Sequence, residues 1–330
     1  MLKLFNRNTV VQVLFIMAAL GLLWGPSLIT PPPMSAVEGG GVLYILTTMW
    51  LSRVPLLAVA LAMVLVLVEG VALNLLLAQR GLVSQNSLLP TLLYVIFMGT
   101  GITTLTPIVL VNGVLIVCTS QLMLRGTLLT ISTEKICSVT ALIGLCSMFY
   151  LPSMAYLLSY LLIAISYRLY SWRDWAALLL GILSSYIVLF TTLYLTDNLS
   201  AWWAETHAEL SGIHFRTRDV DALTLAANIV LTLVIMAAII ASWQRLGEKP
   251  VVWQKNASTV MLFAIGGLVM LLYSWLLPVD ITLFALPAAF CSTLLLMPER
   301  MHSRGSQPKG WRRWIYDILL ILIFVAALLC

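Results

Sequence analysis

The chain has 330 residues, 61% hydrophobic and 9% charged, with a net charge of +5 and a mean hydropathy of +1.02. A soluble domain needs roughly a quarter of its residues charged, so this composition points to an integral membrane protein. The apolar runs, such as Val54 to Ala78, are continuous and do not alternate over about 10 residues, which argues against a membrane barrel and for an all-α bundle of helices of about 20 residues each.

The first expected span runs from Thr9 to Ile29 and contains Gly21-x-x-x-Gly25, a spacing that lets a second backbone approach closely. Its basic start and apolar core are like those of a signal peptide, but no A-x-A site follows and the apolar stretch is of full length. A retained helix is therefore expected. Pro31 to Pro33 end it, and Glu38 with Gly39 to Gly41 forms a short outer loop. Val42 to Trp50 is too short to cross and is expected at the interface. The second span, Val54 to Ala78, carries Glu69 deep inside with Asn74 nearby, and Arg80 ends it.

Asn86-Ser-Leu-Leu-Pro90 opens a span reaching Gly99, and the next covers Pro107 to Met123. Ile136 to Tyr150 and Ser153 to Tyr167 form a hairpin around Pro152. Ser171-Trp-Arg-Asp174 fits the S-x-x-D pattern, predicting that Ser171 bonds the first free amides of a span running to Leu195. The polar interval from Thr196 to Asp221 follows. Further spans cover Ala222 to Trp243, Ser258 to Leu277, the stretch after Asp280 to Met297, and the last apolar run to Cys330.

That makes about eleven spans in a single membrane domain. Alternating sides from a cytoplasmic N-terminus puts only Arg53, Arg216 and Arg218 of the 18 Lys and Arg residues outside, as the positive-inside rule requires. The C-terminus then lies outside. The basic excess is a topology signal, and no nucleic-acid partner is expected. The five cysteines, Cys118, Cys137, Cys146, Cys291 and Cys330, lie in or beside apolar runs without a C-x-x-C pair, so they read as small buried hydrophobes.

Two groups of residues are candidates for function. Glu69 is an acid near the middle of a span, where a bare charge is costly. It reads either as a protonatable or cation-coordinating carboxylate or as a neutral acid hydrogen-bonded to a neighbouring helix, since no intramembrane Lys or Arg is available to it. In the outer loop, Glu205, His207, Glu209 and His214 are ligand-like residue types. If Ser200 caps a helix, Glu205 and Glu209 share one face while His207 lies about 160° away. One helix does not gather all three around a metal, so an amphipathic interfacial helix with Trp202 and Trp203 at headgroup level is expected instead. Arg216 and Arg218 read either as a phosphate site or as partners of Asp219 and Asp221. Neither a metal nor a cofactor is expected.

The absence of a P-loop or dinucleotide fingerprint argues against ATP-driven transport by this chain alone. No corresponding pair of broken helices stands out between the two halves, which weakens a secondary-transporter reading.

The stretches NSLLP (86–90), TPIVLVNG (106–113), GLCSMFYLPS (144–153), SWRDWAALLLGILSSY (171–186) and LYLTDNL (193–199) resemble an uncharacterised family of bacterial polytopic inner-membrane proteins. The resemblance implies an envelope protein of the inner membrane and no assigned activity. The layout is also loosely similar to membrane glycosyltransferases and polymerases that use polyprenyl-linked donors and carry an outer acid near the first helix, where this chain has Glu38.

Three functions stay open. One is envelope biogenesis on a lipid-linked saccharide or phospholipid headgroup, with Glu38 as general base. The second is proton- or cation-coupled transport at Glu69. The third is a non-catalytic subunit that contacts membrane-protein partners through Gly21, Gly25 and the outer loop.

Overall fold

The computed structural model describes residues 9–32, 40–84, 87–100, 104–124, 131–169, 171–211, 222–244, 246–274, 281–296 and 310–329. Among these the fold is all-α. Its helices are α1 (Thr9–Ile29), α2 (Val42–Leu51), α3 (Pro55–Gln79), α4 (Leu89–Gly99), α5 (Pro107–Leu122), α6 (Thr133–Phe149), α7 (Tyr156–Ser166), α8 (Trp172–Leu195), α9 (Leu199–Ser211), α10 (Ala222–Gln244), α11 (Val251–Ser274), α12 (Ala285–Leu296) and α13 (Gly310–Leu329). A helix occupies every one of the expected spans, and α2 and α9 fill the two segments expected at the interface.

Among the described residues, α1, α3, α8 and α10 are long and apolar enough to cross a membrane. Their exposed surfaces are largely apolar, with Arg173 and Gln244 near the helix ends. Along α3, Leu57, Leu61, Val64, Val68 and Leu75 face outward while Ala58, Ala62, Val66, Glu69 and Leu73 face the core. Helices satisfy their own backbone amides, so such a surface needs no water.

Two helices at the centre are of another kind. α4 has 11 residues and α12 has 12, which at 1.5 Å per residue makes each about 17 Å long, roughly half a hydrocarbon core. Every residue of α4 from Leu89 to Met98 is buried, as is α12 from Ala285 to Thr293. They pack against each other, with α1 and α3 around α4, and α10 and α11 around α12. Each opens on Leu-Pro, at Leu89-Pro90 and Leu286-Pro287. Proline is tolerated in a first turn because its missing N–H would be unbonded there anyway. The free amides of α4 are met from outside the helix. Gln12 Oε1 of α1 accepts from Leu88 N at 2.7 Å, and Ser87 Oγ accepts from Leu89 N at 3.3 Å.

Three local expectations change. Ser171 sits at the N-cap of α8 in extended conformation but makes no side-chain cap bond. Instead Asp174 Oδ1 accepts from Thr133 Oγ1 at the start of α6, at 3.3 Å. Ser200 does not cap the outer helix, because α9 already begins at Leu199 and Asn198 O accepts from Trp202 N at 3.0 Å. Third, among the described residues no other helix closes on Gly21 or Gly25: a Cβ at either position meets nothing within 4 Å. The close helix contact lies elsewhere, between α6 and α8, where a Cβ on Gly181 would overlap Thr140 Oγ1 and Cys137 O. The cysteines follow expectation, with Cys118, Cys146 and Cys291 buried and Cys137 half-buried, all as free thiols. Cys330 lies outside the described residues.

Candidate functional site

Glu69 stands 14 residues into α3 and is 6% exposed. Its partner is a hydroxyl: Tyr94 Oη of α4 donates to Glu69 Oε2 at 2.8 Å. Two glycines allow this. Gly70 lets α4 lie close on α3, since a Cβ there would meet Thr91 Cγ2 at 3.2 Å and Tyr94 Cδ1 at 3.3 Å. Thr91 Oγ1 ties the same turn by donating to Gly70 O at 3.0 Å. On the other side, Glu69 Oε1 rests against Gly113 of α5, where a Cβ would come within 2.6 Å of it. The carboxyl is thus gripped between α4 and α5.

The neighbouring residue continues this polar seam towards α12. Asn112 Nδ2 of α5 donates to Thr282 O at 3.0 Å and lies 3.4 Å from Met98 Sδ near the end of α4. The end of α4 therefore adjoins the turn that leads into α12. The turn Ile281–Phe284 that leads into α12 is a buried 3-10 segment. Irregular backbone inside an apolar bundle needs partners for its carbonyls. Asn112 serves Thr282, and Tyr156 Oη serves Leu283 O at 3.2 Å.

Asn74 is buried and its Oδ1 has no hydrogen-bond partner. It does not join Glu69, because five residues along a helix turn it about 140° away.

A second feature lies where the Gly40–Gly41 segment, the end of α6, α8 and α9 converge. Gly41 N donates to Phe149 O at 2.9 Å, and Gly40 pairs with Tyr150. Any Cβ on Gly41 would collide with Met148 O, so only glycine fits this approach. Trp202 of α9 stacks edge-on against Phe190 of α8, with ring centres 5.5 Å apart. Between these elements lies a cleft of about 40 Å³ lined by Gly40, Gly41, Ser147, Tyr186, Trp202 and Thr206. In it the Ser147 and Tyr186 hydroxyls pair at 2.8 Å. The cleft is thus lined by backbone and hydroxyl groups on one side and an aromatic side chain on the other.

Of the outer residues singled out from sequence, His207 is exposed on α9, as is Trp203, in keeping with an interfacial helix. Glu205 and Glu209 share α9 at an i, i+4 spacing. Glu38, His214, Arg216 and Arg218 lie outside the described residues.

Tyr94, Asn112 and Gly113 are the residues that sequence reasoning did not single out. A signal was present for two of them: Tyr94 and Asn112 are hydrogen-bonding side chains inside apolar runs, as Glu69 is, and such groups find partners when buried.

These features define an all-α bundle of membrane-spanning character, with a carboxyl–hydroxyl pair enclosed beside two short central helices. No family model, curated protein or solved structure matches the chain.

Proposed function

We propose that the protein is a multi-pass transporter of the bacterial inner membrane that couples solute movement to a proton or cation bound at Glu69. The observation that carries this reading is the Glu69 carboxyl itself, buried midway along a span-length helix and held by Tyr94 from a wholly enclosed helix. Ionisable groups at such depth are costly and mark ion or substrate paths. The short helices α4 and α12, packed together at the centre, add support, because short or Pro-interrupted helices often line the binding region of secondary transporters. In this reading the chain is multi-pass, with α4 and α12 as short helices enclosed by protein, the N-terminus in the cytoplasm and the C-terminus outside.

The test is uptake. Proteoliposomes under an imposed pH gradient are placed in a metabolite extract, and accumulated solutes are read by mass spectrometry. The expected result is one class of solute accumulated by the wild type and lost both in Glu69→Gln and when the gradient is collapsed. A profile equal to that of protein-free liposomes contradicts the reading.

A second reading, action on a lipid-linked saccharide or phospholipid headgroup at the outer face, draws on the convergence of the Gly40–Gly41 segment, the α6–α7 tip and α9. Glu38, two residues before Gly40, would be its general base. Glu38→Gln would then abolish turnover without unfolding the protein. It ranks second because Glu38, its proposed base, lies outside the described residues.

A further inference from the structure

We infer that the ion exchanged at Glu69 is the proton, and that Tyr94 is the positioning residue that holds the carboxyl for it. This rests on the coupled-transport reading for its biological use but not for its chemistry.

The two carboxyl oxygens have different surroundings, and both suit a proton better than a metal cation. Oε2 receives the Tyr94 hydroxyl hydrogen at an oxygen–oxygen distance of 2.8 Å, a partner that can hold the carboxyl in either protonation state. Oε1 is packed on the Gly113 backbone, close enough that a methyl group there would lie 2.6 Å away. A hard cation needs several oxygens at roughly 2.0–2.6 Å around it. The carboxyl's contacts from the neighbouring helices, the Tyr94 hydroxyl and the Gly113 backbone, do not make such a shell. A proton needs no such shell. It moves between an oxygen and a hydrogen-bond partner without opening the helix packing.

The electrostatic surroundings are simple. Against α3 pack α1, α2, α4 and α5. α1 contains no titratable side chain. α2 contains Tyr44, whose hydroxyl donates to Leu105 O. α4 presents Tyr94 itself. α5 contains Cys118, whose thiol is directed to Val139 O. Beyond α4, Tyr156 of α7 donates to Leu283 O, and Arg80, past the end of α3, donates to Ser120 O. No cation faces the carboxyl from these helices, so a protonation change there is a full change of local charge, the event a coupled transporter needs.

The experiment is infrared difference spectroscopy on the full chain in lipid, using the protonated-carboxyl band that is lost in Glu69→Gln. The band is expected to change with pH, to ignore added sodium or potassium, and to move in frequency in Tyr94→Phe. The wild type with ring-labelled tyrosine supplies a second measurement that does not depend on that variant folding: a tyrosine ring mode should follow the same pH midpoint as the carboxyl band. A band that responds to sodium or potassium and not to pH overturns the inference. A pH-sensitive band that neither shifts in Tyr94→Phe nor shares its midpoint with a tyrosine mode overturns the role of Tyr94. A titrating Glu69 in a protein that accumulates no solute would remove transport and leave this inference standing, so the two failures are distinguishable.

Discussion

Gly113→Ala is a one-carbon change that tests how Glu69 is held. The new Cβ would lie 2.6 Å from Glu69 Oε1, 3.4 Å from its Cδ and 3.7 Å from its Cγ. The first of these is well inside van der Waals contact, so either α5 retreats from α3 or the carboxyl swings away. The carboxyl is the softer element, and swinging it breaks the 2.8 Å bond from Tyr94. Tyr94 is completely buried, and leaving a buried donor unsatisfied costs about 1–3 kcal/mol. Retreat of the helix instead is overpacking, which costs about the same. Alanine's better helix propensity returns at most about 1 kcal/mol. The expected net loss is about 1–2 kcal/mol, read as a lower thermal midpoint in detergent, together with a displaced Glu69 carboxyl band. Adding Glu69→Ala to Gly113→Ala should relieve the clash, so the double variant should lose less than the sum of the singles. Stability equal to wild type with an unmoved carboxyl band would refute the packing argument. So would strict additivity of the two changes.

Other perturbations separate parts of the fold. Gly181→Ala should destabilise strongly, by about 1–3 kcal/mol, because its Cβ would overlap Thr140 and the backbone at Cys137, whereas Gly21→Ala, with nothing within 4 Å, should be neutral or slightly stabilising in the same melt. Asn112→Leu removes the donor to Thr282 O and should cost about 1–3 kcal/mol, with protease sensitivity rising between α11 and α12. Maleimide should leave Cys118, Cys146 and Cys291 unmodified in the folded protein, since all three are buried, and rapid labelling of any of them would contradict the packing described.

The helices could be read from composition because each apolar run is long and closed by proline, glycine or charge. Which of them face lipid could not. α4 reads as an ordinary apolar segment, and only the placement of α1, α3 and α12 around it makes it wholly enclosed. A uniformly apolar helix has no periodic face to reveal its neighbours. For the same reason the α4–α12 pair was missed, since its likeness is a matter of length and burial with only Leu-Pro in common. Glu69 was legible as an unusual residue, but its partner was not: Tyr94 is 25 residues away, and only the approach at Gly70 and Gly113 brings the groups together. The Ser171 side-chain cap did not form because the Asp174 amide donates to the Ser171 carbonyl, while the Asp174 carboxyl is taken by Thr133.

The most direct test of coupling at Glu69 is proton entry into proteoliposomes loaded with a pH-sensitive dye, recorded when the solute class found by uptake is added outside. Solute-dependent acidification is expected from the wild type, with none from Glu69→Gln in the same folded, reconstituted amount. Equal acidification by both proteins would show that the coupling ion does not pass through this carboxyl.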